Sequence, residues 1–362
     1  MRDHLNVGRR TFLRSAAVGA AGVLGTSAVD DAIAESLQES ASQQKSAQSD
    51  QERREEVEIF CRSMYDAKDG IDAPKFASHF ADPHIYQDAT GGGHCGALAT
   101  PQALQERYAN GVFKRVGVPG KLCKFVHASG DMRYGAIAEV VNLPGSFYAA
   151  GLDLMGVLEL KDGRVCRNTD YWDTRQLTQA IVSEGATALH PNGMPRQRPS
   201  CMPNKLPADT PHASKEMLEF ARDFNEALAA GRADRVLKFF TEDALFIHPV
   251  LHSGAPHYGM FNRGIQIRGK DAIGRLMKAV LPLLPDGASP TVMNVVGGPT
   301  GGGYEWKAGG IYARQGLTRE GIRGATALDL FGARILRMSV KFDAMQMTQD
   351  QRDAIDARLG RG

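Results

Sequence analysis

Residues 80–88 read Phe-Ala-Asp-Pro-His-Ile-Tyr-Gln-Asp, and residues 240–248 read Phe-Thr-Glu-Asp-Ala-Leu-Phe-Ile-His. Each starts on a Phe, passes an acidic turn and ends in a short alternating run, the pattern of a half-buried strand. The two lie 160 residues apart, and Phe60-Cys61-Arg62 matches Phe220-Ala221-Arg222 at the same offset. Farther along, Leu158-Glu159-Leu160 matches Leu328-Asp329-Leu330, Arg164 to Arg167 matches Arg334 to Arg337, and Trp172-Asp173 matches Phe342-Asp343, now at an offset of 170. Matches this many and this well ordered point to one domain present twice, the second copy about ten residues longer in its middle.

Each copy predicts the same elements. A helix (53–68; 214–230) carries apolar residues such as Val57, Phe60, Cys61 and Met64 at helical spacing, and a short second helix follows (73–80; 233–240). Then come a short strand (85–88; 245–248), a Gly-rich loop, a third helix (101–108; 270–284) and three or four long alternating strands. Helices first and strands after is an α+β layout, helices on one face of an antiparallel sheet. Between the copies, prolines recur at 191, 195, 199, 203, 207 and 211, which blocks helix and central strand alike.

The N-terminus reads as an address. Arg9-Arg10 followed by Phe12-Leu13 and a weakly apolar Ala/Gly stretch resembles a bacterial twin-arginine export signal, with cleavage after Ala34 or Ala28. The expected organisation is a signal over 1–34, a flexible leader over 35–52, domain one over 53–180, a Pro-rich linker over 181–213, domain two over 214–350 and a tail over 351–362. The expected destination is the periplasm or the exterior, with the export machinery as a partner.

The 362 residues carry 43 Lys+Arg against 41 Asp+Glu and 43% hydrophobic residues. A net charge of +2 without a basic block argues against nucleic acid as a partner, and no apolar run is long enough for a stable membrane anchor. Five cysteines match no metal spacing, and Cys61, Cys123 and Cys166 sit in periodic apolar segments as expected buried thiols. His248, His252 and His257, like His79, His84 and His94, fall in turn-rich segments without a zinc pattern, so neither metal nor cofactor is expected. Gly91-Gly92-Gly93 and Gly301-Gly302-Gly303 lack the Lys-Ser/Thr of a phosphate loop and read as turns or lids.

The stretches 80–88 and 240–248, the Tyr171-Trp172-Asp173 end, the helix start Ile267 to Ile273 and Phe342-Asp343 together resemble SnoaL-like domains of the nuclear transport factor 2-like superfamily. The resemblance implies two cones, each of helices packed on a curved antiparallel sheet around an apolar pocket, arranged as a pseudo-dimer. It also implies cofactor-independent acid/base chemistry, as in dehydratases, isomerases, cyclases and lyases, on a hydrophobic ring-containing small molecule. The alternative is a non-catalytic ligand-binding or scaffold protein.

Alternation phases the last strand. Leu336, Met338, Val340 and Phe342 form an apolar face in copy two, where copy one has Cys166, Asn168, Asp170 and Trp172. A carboxylate on a buried face is costly, which marks Asp170 as a candidate acid or base. On the short strand His84, Tyr86 and Asp88 share a face, and His248 stands where copy one has Asp88. Asp88 and Asp170 would then act as an acid–base pair, with His84 and Tyr86 orienting the substrate and His248 as the second copy's candidate. Tyr148, Asn168, Trp172, Tyr304 and Trp306 are the expected pocket-lining residues.

Overall fold

The computed structural model describes residues 49–88, 98–143, 152–172, 212–248, 265–281, 291–308 and 322–342. The signal, most of the leader, all of the Pro-rich linker but its last two residues, and the tail lie outside the described residues.

The first unit opens with helix α1 (49–69), which starts four residues inside the stretch expected to be leader. Helix α2 (Ala73–Ser78) follows, capped by the Asp72 carboxylate on the Lys75 N–H. Strand β1 (Phe80–Asp88) pairs with β2 (Leu98–Ala99) and leads to α3 (Pro101–Arg107), capped by Thr100. A π turn at Tyr108–Val112 and a last turn at Phe113–Val116 prolong α3. The sheet is completed by β3 (Cys123–Asp131), β4 (Gly135–Asn142), β5 (Leu152–Lys161) and β6 (Arg164–Trp172). The second unit repeats the series: α4 (Lys215–Ala229) capped by Ser214, α5 (Ala233–Val236) with a 3-10 turn, β7 (Phe240–His248), β8 (Ile265–Arg268) and α6 (Lys270–Val280). Strands β9 (Thr291–Gly298), β10 (Gly301–Ala308), β11 (Ile322–Phe331) and β12 (Arg334–Phe342) close it.

The two sheets have the same order, β2-β1-β6-β5-β4-β3 and β8-β7-β12-β11-β10-β9, each antiparallel except where its first long strand runs parallel to its last. The expected fold class, α+β with two helix-on-sheet cones arranged as a pseudo-dimer, is the one observed. Helices cover one face of each sheet. Val57, Cys61, Met64, Phe76, Phe80, Leu104 and Leu158 belong to one cone's core; Met217, Phe220, Phe224, Val236, Phe240, Leu328 and Ile335 belong to the other's.

The opposite sheet faces pack on each other. Ile137, Met155, Val157 and Tyr171 meet Val296, Ala325 and Ala327 in a third buried cluster. The run Gly301-Gly302-Gly303 is therefore not a turn or lid: it lies inside β10, paired on both sides. A methyl on Gly303 would stand 1.9 Å from the Thr326 carbonyl oxygen on the paired strand β11 and 2.4 Å from Ile137 Cδ1 of the facing sheet, so the backbone of its own sheet already requires glycine there.

Charges cross this interface in pairs. Arg167 donates to Glu305 (2.5 Å) and Arg337 forks onto Glu139 (2.6 and 2.8 Å). Glu139 and Glu305 hold equivalent register positions, opposite Met155 and Ala325, as Arg167 and Arg337 do opposite Glu159 and Asp329. The two ion pairs are thus related by a pseudo-twofold.

Candidate active site

The polar groups of the first cone converge on one carboxyl. Asp170 of β6 is 2% exposed. The Tyr86 hydroxyl, from the neighbouring β1, donates to its Oδ2 (2.8 Å), and Asn168 Nδ2 donates to Oδ1 (2.8 Å). Parallel pairing sets this up, because Tyr86 is the register partner of Asn168 and Asp88 that of Asp170. Helix α1 supplies the other side. Lys68 Nζ lies 3.5 Å from the Tyr86 hydroxyl and within 5.7–5.9 Å of the Tyr65, Phe76 and Tyr108 ring centres. Arg107 of α3 stands over the Tyr86 ring at 5.9 Å.

Gly156 makes room for this cluster. It is the β5 partner of Asp170, and a methyl on it would meet the Tyr65 hydroxyl at 2.7 Å and Oδ1 of Asn168 and Asp170 at 3.2 Å. Burial pushes the Asp170 carboxyl above its usual range. The Lys68 charge, the hydrogen bonds from Asn168 and Tyr86, and Arg107 pull it back only in part. Burial, and then the Asp170 charge, drive Tyr65 well above the ordinary phenol value. The result is a carboxyl poised to hold a proton, joined through a phenol to a lysine.

The phase expected for Asp170, Asn168 and Trp172 is the one observed, and Trp172 belongs to the first cone's core. Cys166 departs from it. A bulge between the Glu159–Arg167 and Leu160–Val165 pairs sends Val165 into the cone core, and the Cys166 thiol donates to the Glu159 carbonyl (3.3 Å). The same shift recurs in the second unit, where Ile335 and not Leu336 joins the core. Cys61, Cys123 and Cys166 are buried free thiols, as expected.

His84 sits apart from the acid. Its ring packs on Phe80 (4.9 Å) and its Nδ1 lies 3.0 Å from the Ala81 carbonyl. Burial holds its pKa below the usual value. The Asp88 side chain and Tyr148 lie outside what the structure describes. His248 packs between the Phe246 and Phe342 rings (5.8 Å each). Tyr304 and Trp306 fill the second cone's core, and Trp306 Nε1 donates to Thr326 Oγ1 (3.1 Å). Tyr65, Lys68, Arg107 and Tyr108 were not expected as site residues. For Lys68 a signal existed: it falls four residues after Met64 and seven after Cys61, on the helix's apolar stripe.

No protein-family model and no curated protein matches the chain. Solved structures similar to part of it include a SnoaL-like protein of unknown function from Burkholderia thailandensis (15% identity, 35% of this chain and 94% of that one, TM-score 0.27). Others are an NTF2-like protein of unknown function from Mesorhizobium loti (15%, 36% and 93%, TM-score 0.27) and a steroid delta-isomerase from Pseudomonas aeruginosa (14%, 43% and 94%, TM-score 0.28).

Proposed function

We propose that the first cone is the working site of an exported, SnoaL-like tandem protein that does acid/base chemistry on a hydrophobic, ring-containing small molecule. One observation carries this reading: a buried carboxyl with a raised pKa, hydrogen-bonded to Tyr86 and Asn168, occupies a position that is Val340 in the other cone. A buried polar network without a use is a cost that the second cone shows to be avoidable.

In this mechanism Asp170 holds or accepts the proton, and Asp88, its neighbour across β1 and β6, is the complementary group. Tyr86, between Lys68 and Asp170, polarises the substrate oxygen through its hydroxyl. Dehydration, isomerisation, cyclisation and lyase cleavage all fit, because each moves a proton next to a polarised oxygen. Export by the twin-arginine route to the periplasm or beyond belongs to the same proposal and rests on Arg9-Arg10 and the Ala/Gly stretch after them.

The test starts with ligand identification, by native mass spectrometry of the protein purified from its host, followed by turnover assays on that ligand. Asp170→Asn and Tyr86→Phe should each fold and lose about 100- to 10,000-fold in kcat/KM. Full activity of Asp170→Asn would overturn the assignment. The binding-protein reading has its own support, since both Asp170 oxygens already have partners. It gains if the wild-type protein retains the ligand unchanged and Asp170→Asn alters only affinity.

A further inference from the structure

Outside both cones, Glu159, Cys166 and His212 bring a carboxylate oxygen, a sulfur and an imidazole nitrogen within 4.8 Å of one another. They come from β5, from the bulge in β6 and from the residues just before α4. Glu159 Oε2 and His212 Nε2 are 3.3 Å apart. Around a tetrahedral zinc ion with Zn–N and Zn–O near 2.0 Å and Zn–S near 2.3 Å, neighbouring donors stand roughly 3.3–3.6 Å apart. One edge is already at that length, and the two edges to sulfur, at 4.8 Å or less, need to close by at most roughly 1.3 Å by the same geometry.

The surroundings hold the donors in place. Glu159 Oε1 accepts from Arg167 and from Asn294 Nδ2 (2.8 Å), which leaves Oε2 turned to His212. Such outer hydrogen bonds orient metal-binding carboxylates. The His212 backbone is fixed by Gly297, whose N–H donates to the His212 carbonyl (2.9 Å) and whose carbonyl accepts from Ser214 (2.9 Å). The β6 bulge turns the Cys166 sulfur to this side. The pseudo-twofold place is different: Asp329 accepts from Ser129 (2.6 Å) and pairs with His127 (2.8 Å), and Leu336 stands in the position of Cys166. Among the described residues, a three-element donor set therefore occurs on one side only.

We propose that Glu159, Cys166 and His212 bind a zinc-class divalent ion, a structural clasp between the first unit's sheet and the entry to α4. Thiolate and imidazole select a borderline metal over magnesium or calcium. On binding, the sulfur exchanges its proton for the metal and the proton leaves to solvent. His212 is 12% exposed in its side chain, so water can complete a fourth position.

The test uses the full-length protein without a polyhistidine tag, stripped with a chelator and titrated with Co²⁺ and Zn²⁺. One equivalent of Co²⁺ should give a sulfur-to-cobalt charge-transfer band that Cys166→Ser abolishes. His212→Gln should weaken Zn²⁺ binding by at least about 10-fold, and Zn²⁺ should raise the wild-type Tm but not that of this variant. Should Cys166→Ser fail to fold, His212→Gln alone decides. Absence of stoichiometric binding, or binding and a Co²⁺ band that neither substitution changes, would overturn the proposal.

Discussion

Phe246, Met338 and Val340 stand in one cone where Tyr86, Asn168 and Asp170 stand in the other, on strands of the same order and register. The helices follow suit, with Asn225 and Leu228 in the second unit where the first has Tyr65 and Lys68. The difference reaches into the sheet. Tyr304 and Thr326 face each other across β10 and β11, at the places of Ala138 and Gly156 in β4 and β5. At this place a tyrosine hydroxyl reaches both cones, from strand β10 in the second and from helix α1 in the first, where it adds to Tyr86 of β1. Delivered from the helix, Tyr65 comes in beside Asp170; delivered from the sheet, Tyr304 meets Thr326 and Asn225, and burial pushes its pKa up. One fold thus holds a filled core and a polar site at equivalent coordinates. The second cone is a control, internal to the molecule, for what the fold alone requires.

The interface offers the same kind of comparison and the largest expected effect. Arg167 and Glu305 are fully buried, whereas Arg337 and Glu139 border a cleft of about 220 Å³ that also touches His127, Asp153 and Lys341. Arg167→Met strands two carboxylates away from water and should cost about 3–5 kcal/mol. Arg337→Met leaves Glu139 within reach of solvent and should cost about 1.5–3 kcal/mol. Urea denaturation of the two variants checks the order; equal losses would mean the two sides of the pseudo-twofold are equally wet.

Inside the first cone the tight contact at Gly156 comes next. Gly156→Ala places a methyl against the Tyr65 hydroxyl and should cost about 1–3 kcal/mol by overpacking. Tyr65→Phe removes the opposing atom, so the double variant should recover part of the loss, a coupling that a double-mutant cycle reads. The matching change Thr326→Ala in the second cone removes the acceptor of the Trp306 N–H and should show no coupling to residue 65.

Repeats and periodicity made the architecture readable before any coordinates. Alternation needed only β6 itself to place Asp170 and Asn168 inward, because the bulge lies before them, between Val165 and Arg167. The same bulge defeated the reading of Cys166 and Leu336, since one inserted residue flips everything on its far side and carries no mark in composition. The helix contributions were missed for another reason. Tyr65 is an ordinary residue on an amphipathic helix until the equivalent Asn225 is set beside it, and Lys68 stands out only as a charge on the apolar stripe where the second unit has Leu228. Gly301-Gly302-Gly303 misled because glycine serves turns and tight strand pairing alike, and only the backbones of β9 and β11 on either side of it distinguish the two.

The smallest effect, and the most diagnostic, is the pH dependence of stability. Burial raises the Asp170 carboxyl in the folded protein above its value in the unfolded chain. Below the unfolded value both states hold the proton and the group costs nothing extra. As pH rises past it, the unfolded chain ionises freely while the folded one resists, so the wild type loses stability until the folded pKa is reached. Asp170→Asn does not titrate and escapes this loss. Its stability relative to wild type should therefore grow with pH across that window and level off above it, the reverse of removing an ion-paired carboxylate. The equivalent variant in the second cone, Val340→Asn, has no carboxyl to relieve and should give a pH-independent difference. Chemical denaturation of both variants at a series of pH values reads the two slopes. A flat Asp170→Asn difference would mean that Lys68, Arg107 and the two hydrogen bonds cancel the burial in full, and the first cone would then hold an ionised pair where a protonated acid is proposed.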